Sequence, residues 1–429
     1  MKRVICLFLS LCTIFLLCAC SNNNAGSETE VETTVSPYAG IVEDPHTWYE
    51  EFMQLPVPNA SMTTDELRQN CVDYFRLQLS FTWTPNRDID YTIANMNHKP
   101  YSLPSGIAYS GLCYAAGPGV TDGKGNVYKI LNYYDPETGV LDIVGMGDKY
   151  LEIIGSCCSW GPCWAWQRIS NSIRTTSMEN YTYSYGALPV GLYTYVDTDY
   201  DWANHDVTTK IIQLNGDEVM YESYAQMLPA DGLYSSPSWH IRMCASKPKV
   251  VRNADGSINP QESYVYCHEQ GVNNETVTQS NGITLHTLGT VDRKYTFARL
   301  LETGYIPFTI PEFLGQEPVE EGKSWIGNEH VPCENGSDIS LSGISMRTLW
   351  ANYVISNLHV EVKDPSGKIL YAADPYIYTR NNTFHVSLTG VLDHEAIGAY
   401  ANGENTIHLY TRLCNGELTE TFWTVLQHD

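Results

Sequence analysis

The residues most able to carry chemistry lie between Gly155 and Ser170, in the stretch GSCCSWGPCWAWQRIS. Small residues and three cysteines there run directly into a Trp-rich segment, a pattern typical of a cysteine at a helix N-terminus. Free backbone N–H groups and the positive end of the helix dipole favour thiolate over thiol at that position. A thiolate is a nucleophile, so the stretch indicates covalent catalysis, although cysteines also serve as inert small residues of a core.

Helix geometry separates Cys158 from Cys163. The two are about 140° apart around a helix axis, so the two thiols cannot point at one site. Cys158 lies on the row that continues to Ile169, which we expect to pack on a sheet, whereas Cys163 shares a row with Gln167 and Ser170 that we expect to face solvent. A nucleophile between helix and sheet belongs to the first row, which favours Cys158.

Two alternating segments downstream, SWHIRMCA and SYVYCHEQ, read as strands separated by the turn signal NADG. If that turn closes a hairpin, His240 lies directly across from Glu269. A carboxylate beside a histidine orients the ring and stabilises the imidazolium. His268 is also chemically suitable for this third role, but in a strand it points to the opposite face.

The first twenty residues predict a secretory signal. Lys2 and Arg3 precede an apolar run that ends in LCAC at Cys20. The run is shorter than the roughly 20 residues that span a membrane. Its ending resembles a bacterial lipobox, which implies a lipoprotein signal peptide over residues 1–20 and lipid on Cys20. We therefore expect an extracytoplasmic protein anchored by that lipid to the bacterial cell membrane.

Composition narrows the class of partner. The chain has 25 basic and 49 acidic residues, a net charge of −24, which repels nucleic acid and anionic lipid. Nine of the 13 cysteines follow Cys20, so pairing would leave at least one free thiol. Neither CxxC pairs nor an HExxH motif occur, so we expect no metal and no cofactor.

The chain after the signal predicts a tether and two domains. Residues 21–45 are polar and acidic and read as a disordered tether, and residues 46–305 contain the candidate site. Residues 306–429 alternate with period two and predict a small all-β, immunoglobulin-like sandwich that acts as an accessory domain, in which Cys333 and Cys414 could form a disulfide.

The stretch YSLPSGIAYSGLCY, which ends at Tyr114, is broken by proline and glycine. It predicts a surface loop. Its tyrosines could line a pocket or fill the edge of a core.

Three separated pieces resemble one family. They are Cys158 with its following serine at a helix start, LPADGL ahead of His240, and Glu269 followed by glutamine on the next strand. In order and spacing they resemble the NlpC-like cysteine peptidases and the related CHAP amidases, over about residues 60–305. The resemblance implies an α+β, papain-like fold with an antiparallel sheet. It makes Cys158 the nucleophile, His240 the base and then the acid, and Glu269 the residue that orients the ring.

The resemblance extends to the rim of the site and has departures. GLCY resembles the family's GxPY segment, which makes Tyr114 a substrate-binding residue. The family's aspartate before the nucleophile is Cys157 here, and two family glycines are Trp160 and Trp239, which implies a narrower cleft lined by those two rings.

Cys163 remains an alternative nucleophile. The stretch GPCWA resembles the GSCWA of papain, although the glutamine that papain carries six residues earlier is Cys157 here.

Family and location together predict a surface-anchored cysteine hydrolase that cleaves an amide or peptide bond, in cell-wall peptidoglycan or a peptide. One alternative is an inactive envelope protein that holds a glycan or peptide in the same cleft. Another is an acyl transferase or transglutaminase-like enzyme with the same three residues. The sequence leaves the oligomeric state open.

Overall fold

The computed structural model describes residues 44–93, 99–115, 125–173, 187–195, 206–279, 282–328, 331–337, 339–380 and 382–427. The predicted signal peptide with Cys20, and all but the last two residues of the predicted tether, lie outside these ranges. Across the part of the chain that is described, no helix combines the length and the apolar character needed to cross a membrane.

Helices and strands alternate along the chain. Helices α1 to α10 span Pro45–Met53, Thr64–Leu79, Val127–Ile130, Tyr150–Ile154, Trp160–Trp166, Val207–Asn215, Asp217–Tyr224, Phe297–Glu302, Leu341–Ser345 and His394–Gly398. Strands β1 to β22 span Thr82–Pro85, Ile89–Ile93, Lys99–Leu103, Ala108–Ser110, Cys113–Tyr114, Tyr134–Asp135, Val140–Leu141, Gly155–Ser156, Leu188–Pro189, Gly232–Ser235, His240–Cys244, Tyr264–Thr278, Thr284–Thr296, Tyr305–Thr309, Ser324–Asn328, Val331–Pro332, Thr348–Ala351, Ile355–Lys363, Ile369–Ala373, His385–Ser387, Thr406–Leu413 and Leu418–Val425. Short 3₁₀ helices span Leu131–Tyr133, Gly147–Lys149 and Pro311–Leu314.

A ten-stranded sheet organises the first part, in the order β6-β7-β1-β4-β13-β12-β11-β10-β14-β9. Its pairs are antiparallel except β1 with β7 and β4 with β13. The predicted α+β class is therefore confirmed. Because β14 belongs to this sheet, the part of the chain that forms the sheet extends to Thr309, past the predicted domain boundary at residue 305.

Helix α2 supports the sheet and begins with a capping box. The Thr63 hydroxyl accepts from the Glu66 N–H at 3.3 Å, and the Glu66 carboxylate accepts from the Thr63 N–H at 2.7 Å, which is a complete capping box. Its buried residues Phe75 and Leu79 face the sheet and α5. Each such buried side chain stabilises the fold by about 1.5–3 kcal/mol.

The stretch before Tyr114 is not the surface loop that its prolines and glycines predict. It contains the last part of β3, and β4 and β5, and Tyr114 pairs in parallel with Ser156. The turn residues fall between these short strands. Gly111 is needed there, because it has φ +85° and a Cβ would lie 2.7 Å from the Leu79 carbonyl oxygen.

The predicted register between β11 and β12 is also wrong, although the strands pair. Cys244 is opposite Cys267, which moves the partner of each residue by two positions from the predicted one. The predicted turn at NADG does form, closed by a bridge between Arg252 and Ile258, but the ladder between this turn and Cys244 is interrupted and has one further bridge, between Lys249 and Tyr264. An even shift keeps every side chain on its own face, so His240 stays on the face predicted for it.

The second part contains two four-stranded sheets, in the orders β16-β15-β17-β20 and β19-β18-β21-β22. Their buried residues, such as Leu349 and Leu409, belong to one apolar core. The suggested disulfide is wrong: all nine cysteines after Cys20, each within a described range, are thiols, Cys333 and Cys414 included.

The two parts share a core where the second covers α5. The Cys414 thiol donates to the Gln167 carbonyl at 3.2 Å, and Lys129 Nζ donates to the Thr379 carbonyl at 3.0 Å. Cys163 is fully buried as a result, as are Gln167 and Ser170. The predicted solvent face of this helix is therefore wrong, because helical periodicity contains no information about a partner that arrives from a distant part of the chain.

A buried ion pair ties α2 to the start of β10. Arg68 Nη1 lies 2.7 Å from Asp231 Oδ1, and both side chains are almost fully buried. Burial raises the pKa of Asp231 in spite of the arginine beside it. Removing one partner of such a pair leaves a buried charge unpaired.

We therefore expect Arg68→Met to lower the free energy of unfolding by about 3–5 kcal/mol. Adding Asp231→Asn removes the stranded charge and keeps the acceptor for the Leu228 N–H. The double variant should regain at least half of the loss in urea denaturation. If the double variant instead loses as much free energy of unfolding as the two single variants together, Arg68 and Asp231 do not act as a unit.

Candidate functional site

The segment Cys157-Cys158-Ser159 joins β8 to α5. The Cys157 carbonyl accepts from the Gly161 N–H at 3.1 Å, so helical hydrogen bonding begins at Cys157 and the helix itself at Trp160. This confirms a helix start at the cysteine pair. Cys158 is 6% exposed.

The Cys158 thiol lies against the residue before the predicted base. Its sulfur is 3.5 Å from the Trp239 carbonyl oxygen. Trp239 has φ 45°, in the left-handed region that a side chain other than glycine enters at about 1–3 kcal/mol. This strained turn delivers His240 to the first position of β11, one residue from the thiol contact.

His240 and Glu269 meet directly. His240 Nε2 lies 2.8 Å from Glu269 Oε2, and both side chains are buried. The predicted contact is confirmed although the predicted register is wrong, because a diagonal neighbour on the same face is still within reach of a long side chain.

Three residues that the sequence pattern did not predict complete this cluster, and one of them, Arg293, places Nη1 3.6 Å from Glu269 Oε1. Arg242 Nε donates to Glu269 Oε2 at 2.8 Å, and the Tyr295 hydroxyl donates to Glu269 Oε1. The guanidinium lies between two rings, 3.7 Å from the Tyr295 centroid and 4.2 Å from that of Tyr305. Arg242 follows His240 by two positions in a strand, so alternation alone could have placed it on the same face.

These partners fix the charge on Glu269. Burial by itself raises the pKa of this carboxyl, but the Arg242 charge and the hydrogen bond from His240 outweigh it and hold the pKa well below its usual range. An ionised carboxylate only accepts hydrogen bonds, so His240 Nε2 carries the proton that it donates. The lone pair is then on Nδ1, which is buried and has no hydrogen-bond partner in the structure.

Cys157 is a second unusual thiol. Burial raises its pKa, but hydrogen bonds from Cys158, from the Ser159 hydroxyl and from the backbone N–H groups of Trp160 and Ser159 lower it to about 7 overall. Its sulfur is 3.3 Å from the Ser159 Oγ. Cys158 has a single S–H proton, which can go either to the Cys157 sulfur or to the Trp239 carbonyl.

The other predicted site residues are near Cys158 but mostly covered. Tyr114 and Trp160 are each 5% exposed, and only Trp239 is partly exposed. Tyr114 lies beside the segment that leads into the cysteines, through its pairing with Ser156.

His268 packs against Phe75 on the other face of the strand, where burial lowers its pKa to about 3. It accepts from the Asp292 N–H at 3.2 Å and takes no part in the Glu269 cluster.

No cluster of three or more His, Cys, Asp or Glu side chains within the described ranges is arranged to hold a metal ion. The chain matches no protein-family model, no curated protein and no solved structure.

The Cys157 environment predicts alkylation at unusually low pH. We expect iodoacetamide to modify the Cys157-Cys158 pair with a midpoint near pH 7, because the thiolate forms above its lowered pKa. An unstructured cysteine peptide, as the control, should show a midpoint near ~8.5. Peptide mapping should find Cys163 unmodified because it is fully buried. If Cys163 is modified first, the reactive thiol is Cys163 and not a member of the Cys157-Cys158 pair.

The ionised state of Glu269 predicts an acid-sensitive contribution to stability. Its folded pKa is below the unfolded value of 4.5, so the contribution is present above pH 4.5 and is lost as pH falls. Glu269→Gln should lower the free energy of unfolding by about 3 kcal/mol at neutral pH, because Arg242 loses its counter-charge. Urea titrations should show this gap narrowing below pH 4.5. A gap that does not change with pH would contradict the assignment.

Proposed function

We propose that the chain is a cysteine hydrolase that cleaves an amide or peptide bond, in cell-wall peptidoglycan or a related peptide. The observation that carries the proposal is the buried His240–Glu269 pair, with its basic Nδ1 left without a partner, one residue from the carbonyl that the Cys158 thiol contacts. A nucleophile, a base and an orienting carboxylate are the parts that acyl transfer to a thiol requires.

The proposal includes a papain-like catalytic domain of the NlpC or CHAP type, an immunoglobulin-like accessory domain, and lipid anchoring at Cys20 outside the cell membrane. Supporting features are the order of the site residues, from a helix start to one strand and then the next, and the sheet that α2 and α5 pack against.

The reaction follows from the hydrogen bonds. Rotation of the Cys158 side chain away from the Trp239 carbonyl would bring the S–H proton to His240 Nδ1. The thiolate then attacks the carbonyl carbon, and Glu269 stabilises the imidazolium. The imidazolium protonates the leaving amine, which frees the thioester for attack by water. Because the Ser159 and Trp160 N–H groups are directed at Cys157, we assign the oxyanion donor to the Cys158 N–H.

Kinetic comparison of variants tests these roles. Cys158→Ala should abolish release of peptide from muropeptides, while Cys163→Ala should retain it. Glu269→Gln should lower turnover by a factor on the order of 10² or more, in line with the loss of other orienting carboxylates. His268→Gln, matched to it in position and chemistry, should leave turnover nearly unchanged once circular dichroism confirms folding. The reverse pattern would give the third role to His268.

A binding protein without catalysis is the second candidate. The specific observation in its favour is the closed site, in which Cys158, Tyr114 and Trp160 are nearly covered. On this alternative, wild-type and Cys158→Ala proteins would bind muropeptide equally and neither would cleave it.

An acyl transferase with the same residues is distinguished by its product. Added amine would appear in a new amide bond, whereas a hydrolase releases a free carboxylate.

A further inference from the structure

The outward face of the sheet β19-β18-β21-β22 has a row of aromatic rings. His359 and Tyr410 are opposite each other on β18 and β21, and His408 is opposite Trp423 on β22. Neighbouring ring centroids are 6.0 Å apart for His359 and Tyr410, 6.2 Å for Tyr410 and His408, and 6.3 Å for His408 and Trp423. The last two pairs are nearly parallel, at 12° and 20°. We call these four residues the ring row.

Charged groups hold the ring row in place. His359 Nδ1 lies 2.9 Å from Asp374, His408 Nδ1 lies 2.6 Å from Glu420, and Lys363 Nζ donates to the Tyr410 hydroxyl at 2.7 Å. Rings fixed before binding lose little conformational entropy when a ligand arrives. The partly exposed carboxylates also present hydrogen-bond acceptors along the row.

A cavity of about 300 Å³ opens at one end of the ring row, with His359 and Asp374 in its wall. That volume is at the lower end of the range for small-molecule sites. Its wall also includes Asn132 and Arg412, so it offers amide and guanidinium N–H donors, while the Asn357 amide donates to the Tyr128 carbonyl and to Asn132 Oδ1. The Arg412 guanidinium stacks on the Tyr128 ring at 5.3 Å, and no described carboxylate lies within ion-pair distance of it.

We propose that the ring row and this cavity form one binding site for a neutral oligosaccharide. Aromatic rings pack against the C–H faces of sugars, while carboxylate acceptors and amide or guanidinium donors match their hydroxyl groups. The carboxylates beside the rings and the net charge of −24 disfavour a polyanion. A peptide strand would need free backbone groups, but β18 and β21 are interior strands whose backbone hydrogen bonds are used on both sides.

This site is separate from Cys158 and does not depend on the proposed hydrolase. Isothermal titration of the full chain with tri-N-acetylchitotriose and with cellotriose should detect binding of at least one. Trp423→Ala and Tyr410→Ala should each weaken it at least tenfold, and Arg412→Gln, at the cavity, should weaken it as well. The control Tyr266→Ala removes a half-buried ring from the other sheet and should have no effect, as should Cys158→Ala.

Lack of binding to both oligosaccharides would overturn the proposal. So would a result in which all three site variants bind the oligosaccharide as tightly as the wild-type protein does. Preference for a stem pentapeptide over both sugars would assign the site to peptide instead. If Tyr410→Ala fails to fold by circular dichroism, Arg412→Gln decides, because its side chain is half-buried in the cavity wall and glutamine keeps a polar group there.

Discussion

The site depends on one buried negative charge. The Glu269 carboxylate on β12 accepts hydrogen bonds from His240 and Arg242 on β11 and from Tyr295 on β13. Without these donors, burial would favour the protonated, uncharged form of the acid. The ring of Tyr305 on β14 covers the guanidinium from one side. A single carboxylate therefore joins three neighbouring strands and, through Arg242, reaches a fourth, and it also sets which imidazole nitrogen is basic.

The same charge explains how His240 is positioned beside the Cys158 segment. His240 is the first residue of its strand, directly after a tryptophan in a left-handed conformation. That conformation is unfavourable on its own; the His240–Glu269 hydrogen bond on one side and the Trp239 N–H donated to the Ser236 carbonyl at 3.2 Å on the other hold it. The same turn directs the Trp239 carbonyl at the Cys158 thiol.

Local sequence patterns predicted the features that depend on neighbouring residues. The helix start after the cysteine pair follows from small residues leading into a Trp-rich segment, and the shared face of His240 and Glu269 follows from the period of two in strands. The register was mispredicted because the pairing between the NADG turn and Cys244 is interrupted, which moves the opposed positions along the strands. The solvent face at Cys163 was mispredicted because residues near Cys414, some 250 positions away, cover it. The ion pairs around Glu269 depend on contacts between three strands. Strand alternation could have placed Arg242 on the same face as His240, but it contains no information about the residues that β13 contributes.

The most direct test of the central claim is to identify the cysteine that becomes acylated. The chain would be mixed with muropeptide, quenched in acid within one turnover, digested and mapped by mass spectrometry. We expect a thioester on Cys158 that is absent in Cys158→Ala and still present in Cys157→Ser. A thioester on Cys157 or Cys163, or turnover by the Cys158→Ala protein, would contradict it.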